Sequence, residues 1–451
     1  MHAPVPVKNM IRLYLSICFL CFFMSTAPVL STAAATTVNG VLTGDRTWTK
    51  DGSPYIVTGT VTVYNGTLTI EPGVIVQFNA SRSLQIGTTS GSARLVAQGT
   101  PEDPITFTGN NDWGQLSFGA NTAEGTILEH CIIEKNGYNN YPLVNVFSSN
   151  VTIKNCTFRN TPNSGLAIDS GVPTLEANTY TGIGSYPISI NQARSISAVD
   201  NTSTFDESNT NNLIYYAGGH IDQDTSIADA GIPYYCAGSF GVFYGAVLSI
   251  APGAEIQFAA NQSLLLGNYT SPGKLVAQGS ETDPITFTGN NDWGWLYFGK
   301  NTAEGTILEH CIIEKNGYNN YPLVNVFSSN VTIKNCTFRN TPNSGLAIDS
   351  GVPTLEANTY TGIGSYPISI NQARSISAVD NTSTFDESNT NNLIYYAGGH
   401  IDQDTSIADA GIPYYCAGSF GVFYGAVLSI APGAEIQFAA NQRSVTLLNK
   451  G

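Results

Sequence analysis

The sequence predicts an all-β fold, a solenoid of stacked coils with parallel strands in register. Three observations carry that prediction. Residues 121–262 recur without one change at 301–442, an offset of 180. Inside each copy a finer repeat sets Leu128-Glu129-His130-Cys131-Ile132-Ile133-Glu134 over Ile153-Lys154-Asn155-Cys156-Thr157-Phe158-Arg159, 25 residues later, and over Leu175-Glu176-Ala177-Asn178-Thr179-Tyr180 a further 22 on. No segment sustains the i, i+3, i+4, i+7 apolar pattern of an amphipathic helix. Coils of about two dozen residues cannot bury their apolar faces alone, so stacking completes the core.

Composition agrees. Of 451 residues, 18 are Lys or Arg and 33 are Asp or Glu, a formal net charge of -15, which argues against nucleic-acid binding. Only 11% are charged, against roughly 25% in an ordinary soluble domain. The 45 Gly, 23 Tyr and 20 Phe favour short strands and turns, and 42% apolar residues supply a core.

Residues 1–35 read as a secretory signal peptide. Lys8 and Arg12 precede an apolar run from Leu13 to Met24, and Ser31-Thr32-Ala33-Ala34-Ala35 offers a small-residue cleavage site. A membrane anchor needs about 20 uninterrupted apolar residues, and Ser25, Thr26 and Pro28 break the run early. Cys18 and Cys21 lack the small residue a lipoprotein site wants just before the Cys. The expectation is a chain secreted or held in the cell envelope, extracellular or periplasmic, and not membrane-spanning once cleaved.

Residues 36–451 then form the solenoid: unit one over about 38–217, unit two over about 218–397, and a partial third unit over 398–451. Dividing the mature chain by the repeat gives about 18 coils. Apolar residues hold the first, fourth and sixth places of the repeat, as Leu128, Cys131 and Ile133 do, with a bend between. The duplicated tract holds 16 Asn, as expected where tight bends enter the left-handed region.

The segments Pro54-Tyr55-Ile56-Val57-Thr58-Gly59, Leu68-Thr69-Ile70-Glu71-Pro72-Gly73-Val74, Leu95-Val96-Ala97-Gln98-Gly99 and Pro104-Ile105-Thr106-Phe107 resemble the opening coils of secreted bacterial right-handed parallel β-helix proteins, the pectin-lyase-like superfamily. The resemblance covers nearly the whole mature chain and implies a right-handed parallel β-helix. It leaves function open, because that superfamily holds lyases, glycoside hydrolases, adhesins and autotransporter passengers.

Three cysteines fall in each unit, Cys131, Cys156 and Cys236 with copies Cys311, Cys336 and Cys416, and none forms a CxxC pair. Cys131 and Cys156 hold the same place in adjacent coils and are expected to stack in the core about 4.8 Å apart. A disulfide there is the alternative, at the cost of strain. Glu129, Lys154 and Glu176 fall in one column of alternating sign, and Glu134 lies beside Arg159, which reads as structural pairing. His130 shares the column of Asn155 at the bend, with no nucleophile or paired carboxylate beside it in sequence.

No polysaccharide-cleaving motif is intact. Polygalacturonase-like hydrolases of the superfamily carry Asn-Thr-Asp, an Asp pair, Gly-His-Gly and Arg-Ile-Lys; the nearest fragment here is Gly218-Gly219-His220-Ile221-Asp222. Lyases need a basic residue and Ca²⁺ against an anionic uronate, yet the duplicated tract has four basic residues against twelve acidic ones. Asp222 and Asp224, with copies Asp402 and Asp404, resemble the start of a Ca²⁺ loop, but the expected Gly at place six and Glu at place twelve are missing, so an Asx-rich turn is preferred.

One difference between the copies points to a ligand. Gln115, Ser117 and Ala120 become Trp295, Tyr297 and Lys300, while Leu296 and Phe298 keep the apolar type of Leu116 and Phe118. Strand alternation sets Trp295 and Tyr297 outward as an aromatic pair suited to stacking on sugar rings; the alternative is that they merely mark the edge of the identical tract. The expected function is an extracellular or cell-surface scaffold without an evident catalytic motif, either glycan-binding or adhesive, with a polysaccharide or cell-surface glycan as the candidate partner. The rivals are a carbohydrate-active enzyme, hydrolase or lyase, and a fragment of a larger surface protein.

Overall fold

A computed structural model describes residues 34–88, 90–267, 271–440, 442 and 446–447. Lys8, Arg12, Leu13 to Met24, Cys18 and Cys21, on which the signal-peptide expectation rests, lie outside them. The chain winds as a parallel β-solenoid of about 17 turns, with about 23 residues per turn and almost no helix. Division of the length gave about 18 because coils are unequal. Gln98 reaches Glu129 in the next coil across 31 residues, and Ser239 reaches Gln262 across 23.

Each coil has three sides, called faces A, B and C in chain order. One coil reads Cys131–Glu134, Val144–Val146 and Thr152–Lys154. The next reads Thr157–Thr161, Leu166–Ile168 and Thr174–Glu176, each strand parallel to the one above it. The period-2 alternation of these short strands puts Val144, Val146, Leu166 and Ile168 inside at 0% exposure. In-register stacking makes ladders of like side chains. Phe158, Tyr180 and Phe205 stack at 4.8 and 5.1 Å between ring centroids.

The bend between faces C and A carries the expected left-handed residues, though not only Asn. His130, Asn155 and Ala177 occupy it with φ of 47°, 52° and 50°. At the Ala177 corner the backbone N–H donates to Asp200 Oδ2 at 3.1 Å and Thr202 Oγ1 at 2.8 Å in the next coil. Buried Asn178 accepts from Cys156 N–H at 3.0 Å and donates to the Ile153 carbonyl at 2.8 Å, tying two coils.

Between units the columns change hands. Face B of unit one runs through Leu116–Phe118, Val144–Val146, Leu166–Ile168, Ile188–Ile190 and Ile214–Tyr216. It continues through Tyr234–Cys236 into Glu255–Phe258. That last strand is the sequence counterpart of Ile75–Phe78, which belongs to face A of unit one. Among the described residues the face A column of unit one ends at Thr204–Phe205. A new column opens at Gly219–Ile221, where Gly219 sits close over Ala193 of the 3-10 turn Ala193–Ala198. Unit two closes in the same way, Ile394–Tyr396 passing through Tyr414–Cys416 to Ile436–Phe438. Identical sequence therefore stands on different sides of the solenoid in the two units.

Candidate functional site

The column opened at Gly219 becomes face B of unit two. Its strands Leu296–Phe298, Val324–Phe327, Leu346–Ser350, Ile368–Ile370 and Ile394–Tyr396 stack in register. Their alternate residues point outward as one file: Tyr297, Asn325, Ala347, Ser369, Tyr395. Small or short side chains in the middle leave a trough between aromatic ends. It encloses about 370 Å³ and is lined by Trp295, Tyr321, Asn325, Asp349, Tyr366 and Tyr395 among others. From the coil of Trp295 to that of Tyr395 are four steps of about 4.8 Å, so the trough is about 19 Å long and runs with the solenoid axis.

Leu296 and Phe298 are fully buried, so Trp295 and Tyr297 do face outward, their ring centroids 5.3 Å apart and tilted by 33°. The pair is not isolated. Trp295 stacks on Tyr321 at 3.9 Å, Tyr321 meets Tyr318 edge-on at 5.8 Å, and Tyr297 lies over Phe327 at 6.4 Å. In unit one the equivalent Tyr141 and Phe147 stand 39% and 53% exposed, with Gln115 and Ser117 between them. Two substitutions thus join separate aromatic islands into a chain of five rings. Of the pair, Trp295 borders the trough itself, while Tyr297 stands at the head of its floor.

The polar side of the trough is a clamp. Asp349 accepts from Asn325 Nδ2 at 2.9 Å and from Asn371 Nδ2 at 2.5 Å. Both carboxylate oxygens are thereby held and the two amides fixed. Tyr366 and Tyr395 close the far end, 5.2 Å apart. Asp349 is the one carboxylate among the described residues lining the trough, so a pair of acids flanking a scissile bond is not assembled there. Sequence reasoning missed Asn325, Asp349, Asn371, Tyr366 and Tyr395. They lie about one coil apart and form no contiguous motif.

The other candidates serve the coils. Lys154 bridges Glu129 at 2.9 Å, and Glu176 adjoins Lys154 in register. Hydrogen bonds from Gln98 and Lys154 hold the Glu129 carboxyl below its ordinary range. Burial pushes Glu134 up, but hydrogen bonds from Arg159 and Thr108 and the charges of Arg159 and Lys135 outweigh it, so its carboxyl also sits low. All six described cysteines are buried and free. Burial first, and then the neighbouring Cys156, raise the Cys131 thiol, and burial raises Cys416 to about 12. His130 sits on the bend, its backbone N–H donating to the Lys154 carbonyl at 3.3 Å.

Asp224 Oδ1 accepts from Val247 N–H at 2.9 Å, and Asp404 Oδ1 from Val427 N–H at 2.8 Å. One oxygen of each therefore ties a coil to the next. Asp402 borders a hollow of about 430 Å³ with Arg374 and His400. Among the described residues no three His, Cys, Asp or Glu side chains gather as a metal ion would require. Nor, among them, is any helix long and apolar enough to cross a membrane.

These observations define a parallel β-solenoid that carries a short aromatic-walled trough along one side. Residues 61–203 and 277–383, more than half of the chain, match the family described as Right handed beta helix region. The chain belongs to that family, and the fold is consistent with the pectin-lyase-like superfamily. No curated protein and no solved structure matched the chain.

Proposed function

We propose that the protein is an extracellular or cell-surface scaffold that binds a neutral glycan in the face B trough of unit two. The observation that carries this reading is the chain of five rings from Tyr318 to Phe327, centred on Trp295 and set beside the Asn325–Asp349–Asn371 clamp. Flat apolar rings beside fixed hydrogen-bonding groups suit a sugar, which offers an apolar ring face and a rim of hydroxyls. The Asp349 carboxylate and a net charge of -15 disfavour a polyuronate. Export follows from the signal segment read in residues 1–35.

The test is calorimetric titration of the full mature chain with neutral gluco-, manno- and xylo-oligosaccharides, repeated with Trp295→Ala. Loss of one stacking surface is expected to weaken binding about tenfold. Unchanged affinity in the variant would remove the trough as the site.

A further inference from the structure

Unit one carries a trough that no aromatic pair marks. Asn145, Ala167, Ser189 and Tyr215 stand in one outward file, and the space beside them is about 330 Å³. Asn191 Nδ2 donates to Asp169 Oδ1 at 2.6 Å, and Tyr186 meets Tyr215 at 5.2 Å. The residues of floor, clamp and closed end lie inside the identical tract, but the clamp is half made: Asn191 holds Asp169, while the Asn325–Asp349 hydrogen bond of unit two has no counterpart between Asn145 and Asp169. In sequence the difference lies at the head, with Gln115 and Ser117 in place of Trp295 and Tyr297. That head is polar, and buried Gln115 Oε1 there has no hydrogen-bond partner; on the floor Asn145 Oδ1 has none either, as is true of Asn325 Oδ1 in unit two. Buried acceptors of this kind require a donor, as a sugar hydroxyl or a water supplies.

Direction is the second difference. The unit-one trough lies on the column that continues into unit two as Glu255–Phe258, Ile285–Gly289 and Cys311–Glu314, whereas the unit-two trough lies on the column opened at Gly219. Each trough also stops at its own tyrosines, so the two do not join into one long cleft.

We propose that the unit-one trough is a second binding site for neutral, hydroxyl-rich oligosaccharides, held by hydrogen bonds rather than by stacking, and that it faces another side of the solenoid. The proposal rests on the glycan reading of unit two and adds to it that one chain holds two glycan segments on different faces. Each segment spans roughly four sugars, about one per coil step. A polymer would then be cross-linked and not merely coated.

The experiment uses the full mature chain with mannan, xyloglucan and their oligosaccharides of two to seven units. Ala167 and Ala347 sit mid-floor, so Ala167→Trp fills one trough and Ala347→Trp the other; Asp169→Ala is a second, smaller lesion in unit one. Expected are two sites of unequal affinity, the weaker lost in Ala167→Trp and at least tenfold weaker in Asp169→Ala, with affinity levelling off near four units. Wild type precipitates polymer, and neither Trp variant does. A single site in wild type, abolished by Ala347→Trp and untouched by Ala167→Trp and Asp169→Ala, overturns the second site and leaves the unit-two reading standing. No binding of any oligosaccharide overturns both.

Discussion

Arg159 donates through Nε to Glu134 Oε2 in the preceding coil at 2.7 Å, and Arg339 repeats the contact to Glu314 at 2.6 Å. Thr108, one coil earlier still, donates to the same Glu134 carboxylate at 3.0 Å, so a single side chain links three successive coils. The Glu134 side chain is 8% exposed and that of Arg159 39%. Cutting the pair from the arginine side therefore leaves a charge with little water around it to Thr108 and to half-exposed Lys135, 3.4 Å away.

Arg159→Ala is expected to destabilise by about 1–2 kcal/mol, below the range for fully buried pairs because the guanidinium is partly solvated. Adding Glu134→Gln to that variant should recover part of the loss, since no buried charge then remains. Urea unfolding of the single and double variants checks both expectations; equal stability of the two would show that the carboxylate is not stranded.

The same carboxylates contribute to the response to acid. Glu129 and Glu134, with Glu309 and Glu314, have folded pKa values below the ordinary 4.5. A depressed folded value contributes stability that is full above 4.5 and is lost as pH falls through the folded value. Urea midpoints should accordingly be level from pH 5 to 8 with respect to these groups and decline below about pH 4.5. Glu134→Gln with Glu314→Gln should flatten that decline, and an unaltered acid limb would mean the pairs are not the cause.

Lys154 lies between Glu129 and Glu176 in register, so Lys154→Glu sets three carboxylates in one file. Melting temperature should fall, and fall further at low salt, because like charges facing across strands repel and salt screens them. The same melting temperature at 10 mM and 500 mM salt would contradict the file.

Much of the fold was legible because a coil leaves the same signature each time it returns. Leu128, Ile153 and Leu175 mark one inward position, and the Cys131–Cys156 and Glu129–Lys154 pairs followed from it. The bend was legible as a place, but its occupants were not. His130 and Ala177 take left-handed backbone as Asn155 does, because the neighbouring coil fixes the corner whatever residue stands there. Trp295 was found because two near-identical copies act as a control for each other. The clamp was hidden, since Asn325, Asp349 and Asn371 are ordinary turn and strand residues until stacking brings them together. The change of columns was hidden as well, for it depends on which strand Tyr234–Cys236 stacks upon.

Asn178 offers the sharpest test of the corner. Its side chain is fully buried and serves Cys156 N–H and the Ile153 carbonyl at once. Asn178→Leu leaves both backbone groups without partners, at about 1–3 kcal/mol each. A loss of about 2–4 kcal/mol in urea unfolding is expected, and a loss under about 0.5 kcal/mol would show that water replaces the amide.

The handover at Tyr234–Cys236 gives the duplication a meaning that length alone would not. Copying a block in a straight stack lengthens one ribbon, with every copy looking the same way. Here each copied block is seated a side further round, and Ile436–Phe438 already occupies the seat from which another block would start. Copy number therefore works as an angular setting. The repeated block in this chain addresses a different direction from the block before it, as successive treads do around a spiral stair.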